Sequence, residues 1–237
     1  LLMMILSHAS SSRGNAYTIS DGKTYLLLEA GISFNKLRRK VSKVVPDYDA
    51  CLISHEHGDH SKAIKEVLKS GVEVYTSNGT AKALNLKHHR LNTIKSKESF
   101  EIGTFTILPF DTQHDAKEPL GFLIYSNYLK EKLLFATDTY YIKYKFSGID
   151  YIMIECNYDL DILNSNVAAG KLPKAHKNRV LQSHFSLKNV IRFLESTDLS
   201  KVKKIYLLHL CEGNSNEKMF KEKIENKFYR EVEVFPA

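Results

Sequence analysis

Short apolar runs recur along the chain and are separated by polar or helix-periodic stretches. Runs of this length that are rich in β-branched and aromatic residues are typical of buried strands. We predict strands over residues 2–7, 25–29, 50–54, 72–76, 105–110, 122–126, 132–136, 151–154 and 205–209. Apolar residues spaced three to four positions apart predict helices over residues 32–44, 61–69, 79–85, 186–195 and 216–227, with Asn78 and Ser186 as N-caps.

The order of these elements favours one α/β architecture. Strand pairs and β-α alternation are followed by a strand-rich segment over residues 98–136 and then by a β-α-α-β order. Two sheets packed face to face with helices outside, a four-layer αββα sandwich, would accommodate this order. Since no repeat, low-complexity tract or Pro/Gly-rich linker divides the chain, we predict a single domain over residues 1–237.

Composition indicates the class of protein and the cellular compartment. With 43% hydrophobic and 26% charged residues, the chain has an ordinary soluble globular composition. Its three cysteines, Cys51, Cys156 and Cys211, form no C-x-x-C pair and fit a reducing cytosol, so we predict a cytoplasmic protein. The apolar run at the start is too short to cross a bilayer and lacks the basic residues of a signal peptide, and no membrane segment is predicted.

Charge favours a polyanionic partner without identifying one. The 34 Lys and Arg residues exceed the 27 Asp and Glu residues, which gives a formal net charge of +7. A basic surface raises the local concentration of nucleic acid, but many lysine-rich proteins bind nothing anionic.

The strongest chemical signal is the string Ser54-His55-Glu56-His57-Gly58-Asp59-His60, directly after a buried strand. Packing does not explain four potential ligands within six residues, and nitrogen and oxygen ligands of this kind hold Zn²⁺, Mn²⁺ or Fe. His55 and His57 alternate, so in an extended loop their side chains point the same way. Asp59 and His60 fall where the next helix begins and could face a second ion.

This H-x-H-x-D-H string resembles that of the metallo-β-lactamase-fold hydrolases. The resemblance implies the αββα fold and two divalent metal ions, and the later ligands of that family are found in order as His114, Asp138 and His209. Taken alone, each of these three residues has an ordinary structural explanation. The family pattern implies one ion held by His55, His57 and His114, and another held by Asp59, His60 and His209, with Asp138 bridging them.

Further motifs resemble the YycJ/WalJ-like branch of that family, which implies a DNA substrate cut by an exonuclease. These motifs are Ala-Ser-Ser-Ser-Arg-Gly-Asn in a loop over residues 9–15, Glu-Ala-Gly-Ile-Ser over 29–33, Ile-Glu-Cys-Asn over 154–157 and Ser-His-Phe-Ser over 183–186. Glu29 stands where the branch has an aspartate that supports the ligand loop. We predict that Ser12, Asn15 and Asn157 contact the substrate.

His184 resembles a histidine of ribonuclease Z and phosphodiesterase relatives that contacts the scissile phosphate or the leaving oxygen. An imidazole can donate a proton to an alkoxide leaving group near neutral pH. The alternative is a histidine whose hydrogen bonds are satisfied next to a helix cap.

Phosphate contacts are predicted for Lys177 and Arg179 in a lysine-rich loop that also holds Lys171, Lys174 and an exposed His176.

Two further groups of residues have open interpretations. Tyrosines and lysines interleave over residues 140–146 and could stack unpaired bases at the rim of the site, or could simply pack against a helix. Cys211 lies two residues past His209. Because the ligand set is complete without it, we predict a buried neutral thiol there, with Cys51 and Cys156 as packing residues.

These observations predict a metal-dependent hydrolase, most specifically a phosphodiesterase or DNA exonuclease with a metal-bridging hydroxide as nucleophile. Asp59 would orient this nucleophile as well as bind metal, and His184 would protonate the leaving group. RNA is the nearest alternative substrate. A small-molecule hydrolase acting on a thioester, lactone or cyclic phosphodiester would use the same metals, and a non-catalytic DNA-binding accessory is a further alternative. A β-lactamase is poorly supported, since no export signal is predicted.

Overall fold

The structure is a computed structural model that describes residues 2–41 and 43–236. The described strands form two mixed sheets with helices around them. The chain divides into a first unit, Leu1–Asp111 with Ala116–Lys132, and a second unit, Thr112–Asp115 with Leu133–Ala237.

The first unit contains a six-stranded sheet whose strands follow chain order. The first three strands are antiparallel and the others continue in parallel. The strands are β1 (Met4–Ser11), β2 (Gly14–Ser20), β3 (Tyr25–Leu28), β4 (Ala50–Leu52), β5 (Glu73–Ser77) and β6 (Leu91–Ile94). The helices are α1 (Phe34–Lys40), α2 (Gly58–Ser61), α3 (Ile64–Lys69) and α4 (Asn78–Ala83).

The parallel strands β3 and β4 are buried on both faces over most of their length, which explains their continuous apolar sequence. Leu27 of β3, Cys51 of β4 and Val74 of β5 pack with Leu37 of α1 and Val67 of α3 in one apolar core. The carboxyl ends of β3 and β4 share one edge of this sheet. Loops that leave this edge are where functional side chains collect in open α/β sheets.

The first unit also holds the antiparallel part of the second sheet. It consists of β7 (Phe100–Ile102), β8 (Phe105–Asp111) and β9 (Leu120–Ser126). The pairing of β7 with β8 and of β8 with β9 is antiparallel throughout, as expected for strands joined by short connections.

The second unit holds the parallel part of the second sheet, in the order β10-β11-β12-β13. These strands are β10 (Lys132–Ala136), β11 (Tyr151–Glu155), β12 (Lys204–Leu208) and β13 (Glu231–Val234). The helices of this unit are α5 (Leu160–Ala168), α6 (Lys174–Ser183), α7 (Leu187–Glu195) and α8 (Glu217–Phe228). Three of the strands end at one edge, where Asp138, Glu155 and His209 follow or close β10, β11 and β12.

Several predicted elements differ from the structure. The predicted loop over residues 9–15 is instead the β1–β2 hairpin, which turns at Ser12 and Arg13. The lysine-rich loop around His176 is helix α6, although His176 is exposed as predicted. Both segments are rich in polar side chains, so they carry no apolar periodicity that would reveal a strand or a helix.

The predicted helix boundaries were partly wrong. The helix predicted over residues 61–69 begins later, as α3, and a separate short helix, α2, precedes it. The helix predicted over residues 32–44 is shorter, as α1. Ser77, not Asn78, caps α4, because the Ser77 side chain accepts a hydrogen bond from the Thr80 N–H. The prediction for Ser186 is confirmed, since its hydroxyl accepts a hydrogen bond from the Asn189 N–H at the start of α7.

Among the described residues, no helix combines the length and the apolar character needed to cross a membrane.

Candidate metal-ligand clusters

The loop after β4 brings two imidazoles of the first unit together. His55 Nε2 lies 3.1 Å from His57 Nδ1. Two nitrogens bonded to one tetrahedral zinc ion at about 2.0–2.1 Å lie about 3.3 Å apart, so this spacing fits two ligands of one ion. Between them, the Glu56 carboxylate accepts hydrogen bonds from the Lys117 N–H and the Thr80 hydroxyl. The alternation expected from the sequence thus pairs the histidines and leaves Glu56 with other partners.

The short helix α2 carries the next two potential ligands. Asp59 Oδ2 lies 3.4 Å from His60 Nε2, and the His60 side chain is fully buried. Asn15 holds this pair from β2, because its Nδ2 lies 3.1 Å from the backbone oxygen of Asp59 and 3.2 Å from His60 Nε2. The Tyr17 hydroxyl in turn donates to Asn15 Oδ1 at 3.1 Å. Asn15 is therefore a positioning residue for the Asp59 backbone and the His60 ring, and its predicted contact with substrate stays a prediction.

Glu29 connects the end of β3 to the ligand loop. Its carboxylate accepts a hydrogen bond from the Ser54 N–H at 3.2 Å and lies 3.6 Å from His60 Nδ1. Burial raises the pKa of Glu29, against the opposing effect of its contacts with His60 and Ser54. The longer side chain, where the family branch has aspartate, thus reaches the loop that it was predicted to support.

In the second unit, four potential ligands converge at the carboxyl ends of the parallel strands. One ligand atom from each residue lies within 4.8 Å of the others, and the residues are Asp138, Glu155, His184 and His209. His209 Nδ1 is 3.3 Å from Asp138 Oδ1, and His184 Nδ1 is 3.9 Å from Asp138 Oδ2. The sequence places these residues on different strands and loops, and the parallel register brings them to one point.

Glu155 is the residue of this cluster that the sequence analysis did not assign. Its Oε1 lies 2.6 Å from His184 Nδ1 and 3.2 Å from His209 Nδ1, and the carboxylate is fully buried. The Thr139 and Phe185 N–H groups donate to Oε2. A carboxylate closing an otherwise apolar strand was the available signal, because acidic side chains are rarely buried without a partner.

The charges of Glu155 and His184 stabilise each other. Burial and the Asp138 charge would raise the pKa of Glu155, but the charge of His184 and the hydrogen bonds with His184 and His209 outweigh them and lower it. Burial would likewise lower the pKa of His184, but the Glu155 carboxylate outweighs this effect and raises it. A carboxylate that accepts from His184 Nδ1 leaves Nε2 as the atom able to exchange a proton elsewhere.

His114 is held in one tautomer by the second unit. Its Nδ1 lies 2.8 Å from the backbone oxygen of Ser183, so Nδ1 carries the hydrogen. The opposite nitrogen, Nε2, lies 3.6 Å from Asp138 Oδ2. Burial lowers the pKa of His114, which favours the neutral ring. A neutral imidazole whose far nitrogen donates to a carbonyl is the form in which histidine binds metals.

The residues predicted to contact substrate have varied positions. Ser12 is exposed at the tip of the β1–β2 hairpin, whereas Asn157 is buried and donates to the backbone oxygen of His209 at 2.9 Å. Lys177 and Arg179 lie on α6, and Arg179 Nε donates to Asp115 Oδ2 at 3.0 Å. The substrate roles of these side chains stay predictions.

The cysteines are free thiols, but one of them differs from its prediction. Cys51 and Cys156 are buried, as expected for packing residues, whereas Cys211 is partly exposed and accepts a hydrogen bond from Asn214 Nδ2. Cys211 lies in the loop after β12 and not in the strand, which explains its exposure. Within the described part of the chain, the groups able to hold a metal ion consist of histidine and acidic residues.

The donor chemistry of both units fits divalent metal ions. Each cluster combines imidazole nitrogens with carboxylate oxygens, a set that suits Zn²⁺, Mn²⁺ or Fe²⁺. The hydrogen bond of His114 Nδ1 and the burial that lowers the pKa of this ring agree with a neutral ligand histidine. The residues present therefore match a His/Asp metal centre, while the choice among these metals is left open by the ligands.

Comparisons with known proteins place the chain among related sequences and folds. A family model described as a beta-lactamase superfamily domain matches residues 24–210. Exodeoxyribonuclease WalJ of Streptococcus pneumoniae is 33% identical over 87% of this chain and 81% of its own length. Exodeoxyribonuclease YycJ of Bacillus anthracis is 27% identical over 89% of this chain and 83% of its own. The metallo-beta-lactamase fold protein YhfI of Bacillus subtilis superposes with a TM-score of 0.76 at 17% identity, over 99% of this chain and 96% of its own.

Proposed function

Since this chain belongs to the metallo-β-lactamase superfamily, we propose that it is a metal-dependent phosphodiesterase that degrades DNA from an end. The fold predicted from the sequence is confirmed by this membership and by the fold of YhfI. The observation that carries the proposed reaction is the contact of His184 with Glu155 beside Asp138, which supplies a proton donor for an alkoxide leaving group. The names of the relatives WalJ and YycJ support DNA as the substrate.

The proposed enzyme uses two divalent ions. His55, His57 and His114 would hold one, Asp59, His60 and His209 would hold the other, and Asp138 would be shared, as the family resemblance implies. When bound, such ions supply charge stabilisation at the phosphoryl oxygen and make hydroxide available near neutral pH. Zn²⁺, Mn²⁺ and Fe²⁺ remain alternatives for the native metal.

Two side chains have proposed roles in proton transfer. The Asp59 side chain is 22% exposed, so water reaches its carboxylate, which accepts a hydrogen bond from the nucleophile and orients it. The His184 side chain is 18% exposed and its Nδ1 is engaged by Glu155. His184 Nε2 therefore donates the proton to the leaving oxygen, and Glu155 stabilises the charged ring before the transfer.

Positive and polar side chains have proposed roles in binding the polyanion. Lys177 and Arg179 on α6 contact phosphates without reading the base sequence. Arg179 is held by Asp115, next to His114, which keeps its guanidinium near a proposed ligand. Ser12, Asn15 and Asn157 retain their proposed contacts with substrate. We place the enzyme in the cytosol, where DNA is available and where free thiols are stable.

The test is a time course on end-labelled single-stranded and double-stranded DNA, with RNA alongside. With Mn²⁺ or Zn²⁺, we expect the holoenzyme to release mononucleotides, and EDTA or the Asp59→Ala substitution should abolish this release. Asp161→Ala, at an exposed aspartate outside the ligand clusters, is the matched control and should retain activity.

Other outcomes would reject the proposal. Intact DNA and RNA with metal shown to be bound would redirect the search to thioesters, lactones and cyclic phosphodiesters. DNA affinity without turnover, unchanged in Asp59→Ala, would instead indicate a binding accessory. Cleavage of RNA but not of DNA would support the proposed phosphodiester hydrolysis and reject DNA as the substrate.

A further inference from the structure

An aromatic and basic groove of about 450 Å³ opens beside the second-unit cluster. One wall is the segment over residues 140–145, which has no regular secondary structure, and the other comes from α7 and the residue before its cap. Phe185 and Phe193 are buried at its floor with ring centroids 6.4 Å apart. The volume is within the range of ordinary ligand clefts, about 300–1,000 Å³.

Residues that line the groove are close in sequence to the proposed catalytic residues. Phe185 directly follows His184, and Tyr140 lies two residues after Asp138. The Tyr140 N–H donates to the backbone oxygen of Gln113 at 3.1 Å, which ties this wall to the residue before His114. Tyr140 also borders a second depression, which contains His114 and Arg179. A strand passing Arg179 and the cluster would therefore continue into the groove.

The chemistry of the groove matches that of an unpaired nucleotide. Tyr141 is 55% exposed and Tyr140 is 38% exposed, so both tyrosines are accessible at the rim. Lys143, Lys145 and Arg192 add three positive charges, and the described lining contains no carboxylate. Aromatic rings that stack bases and cations that track phosphates are the combination by which proteins bind single strands.

We propose that this groove holds the unpaired nucleotides of single-stranded DNA next to the phosphodiester bond that is cut. The inference rests on the proposed function and specifies the form of its substrate. A paired duplex hides the faces of its bases within the stack, whereas a single strand presents them to Tyr140 and Tyr141. The groove thus selects single strands and frayed ends over closed duplex.

The experiment measures binding of the holoenzyme to a fluorescent 12-mer of thymidine with phosphorothioate linkages, which resist hydrolysis. An abasic 12-mer with the same linkages and a blunt duplex serve as the comparison probes. We expect the thymidine strand to bind more tightly than both. Tyr141→Ala should weaken its binding about 5- to 150-fold and leave the abasic strand unaffected, because only stacking is removed.

Further variants separate stacking from charge and from misfolding. Tyr141→Phe keeps the ring and should bind like the wild type. Arg192→Ala should weaken both single strands and reduce the slope of log K against log salt by about 0.7, which Arg192→Lys should restore. Tyr128→Ala, at a tyrosine that is 47% exposed and does not line the groove, is the matched control and should change nothing.

The possible failures are distinguishable. Equal binding of the thymidine and abasic strands, or wild-type affinity in Tyr141→Ala, would overturn the groove proposal even if the enzyme degrades DNA. Binding that depends on Tyr141 in a protein that hydrolyses no DNA would support the groove and overturn the nuclease assignment. If no oligonucleotide binds at low salt, the groove proposal is wrong. A protein or a small molecule is then the alternative occupant of the groove.

Discussion

At the scale of single residues, three positions in or beside the candidate site have a left-handed backbone conformation. Glu29, Asp138 and His209 have φ angles of +63°, +39° and +53°, in the left-handed region that side chains ordinarily avoid. Each residue lies just after the end of a parallel strand. Such conformations cost about 1–3 kcal/mol each and persist where the surroundings determine them. This conformational free energy lowers stability, which is consistent with strand ends whose backbone is determined by the positions that the site requires of its side chains.

Gly31 lies against the backbone of α2, the helix that carries Asp59 and His60. A Cβ at this position would come 1.6 Å from the backbone oxygen of Asp59, so a side chain cannot fit without displacing α2. Gly31→Ala should therefore lower the metal content of the purified protein and its melting temperature, at a cost of about 1–3 kcal/mol or more.

Gly213→Ala is the control for this prediction, because a Cβ there meets no atom within 4 Å. Metal analysis by mass spectrometry and thermal unfolding would be measured for both variants. Full metal content in Gly31→Ala would show that the loop moves without disturbing Asp59.

Glu155 is predicted to act through His184 and not on the substrate itself. Glu155→Gln keeps the shape of the side chain but removes the charge that stabilises the imidazolium. We expect kcat on DNA to fall about 10- to 100-fold with little change in KM, the size of effect seen when the partners of reacting groups are removed. Metal content would be measured in parallel to separate this effect from loss of the ions.

The exposed Glu98 provides the matched control, because Glu98→Gln lies outside the cluster and should leave kcat unchanged. A large rise in KM with unchanged kcat in Glu155→Gln would contradict the positioning role.

At the scale of elements, buried polar contacts connect strands that the hydrophobic pattern leaves unrelated. Asp21, in the turn between β2 and β3, accepts hydrogen bonds from the hydroxyls of Thr104 and Ser126 at 2.6 and 2.7 Å. Its other oxygen accepts from the N–H groups of Lys23 and Thr24. Burial would raise the pKa of Asp21, but these hydrogen bonds outweigh it and lower the pKa.

Asp21→Asn should therefore destabilise the protein by about 1–3 kcal/mol at neutral pH. Because the folded-state pKa is lowered, the contribution of the carboxylate is present above the usual aspartate pKa and is lost as the pH falls through the lowered value. Urea unfolding of the wild type and the variant at pH 7 and near pH 3 would show the difference shrink. Asp47→Asn, at an exposed aspartate, should show no such pH-dependent difference.

The β1–β2 hairpin shows why some elements escaped prediction. Its inward positions include Ser10 and Asn15, which look like loop residues but are buried and bonded to Tyr17. Hydrogen-bond partners within the fold satisfy the polar groups of these two residues. They can therefore be buried at positions where the hydrophobic pattern of a strand leads us to expect apolar side chains. Most of the parallel strands were recognisable from sequence for the opposite reason, because they carry short apolar runs, whereas the parallel edge strands β6 and β13 were not predicted.

At the scale of the whole molecule, the proposed metal ions should contribute to stability. Anything that binds the folded chain and not the unfolded chain raises the free energy of unfolding. At a free metal concentration of 100 times Kd, this amounts to about 2.7 kcal/mol, or about 5–10 °C in melting temperature for a chain of this size. EDTA should lower the melting temperature, and Zn²⁺ or Mn²⁺ should restore it.

His114→Ala should reduce this metal-dependent shift, whereas His176→Ala, at an exposed histidine on α6, should retain it. Differential scanning calorimetry with and without EDTA would measure both. An unchanged melting temperature after verified metal removal would contradict a structural contribution from the ions.

The sequence by itself determined the family, the fold class and the candidate ligands, because these depend on local patterns. Apolar runs reveal most of the parallel strands, and the spacing from His55 to His60 is readable in this sequence alone. Only the tertiary structure decided the partners: Glu155 with His184, Asn15 with His60, and Tyr140 beside Phe185 in one groove. These pairs are distant along the chain, and their contacts arise from strand register and helix packing, which no local pattern encodes.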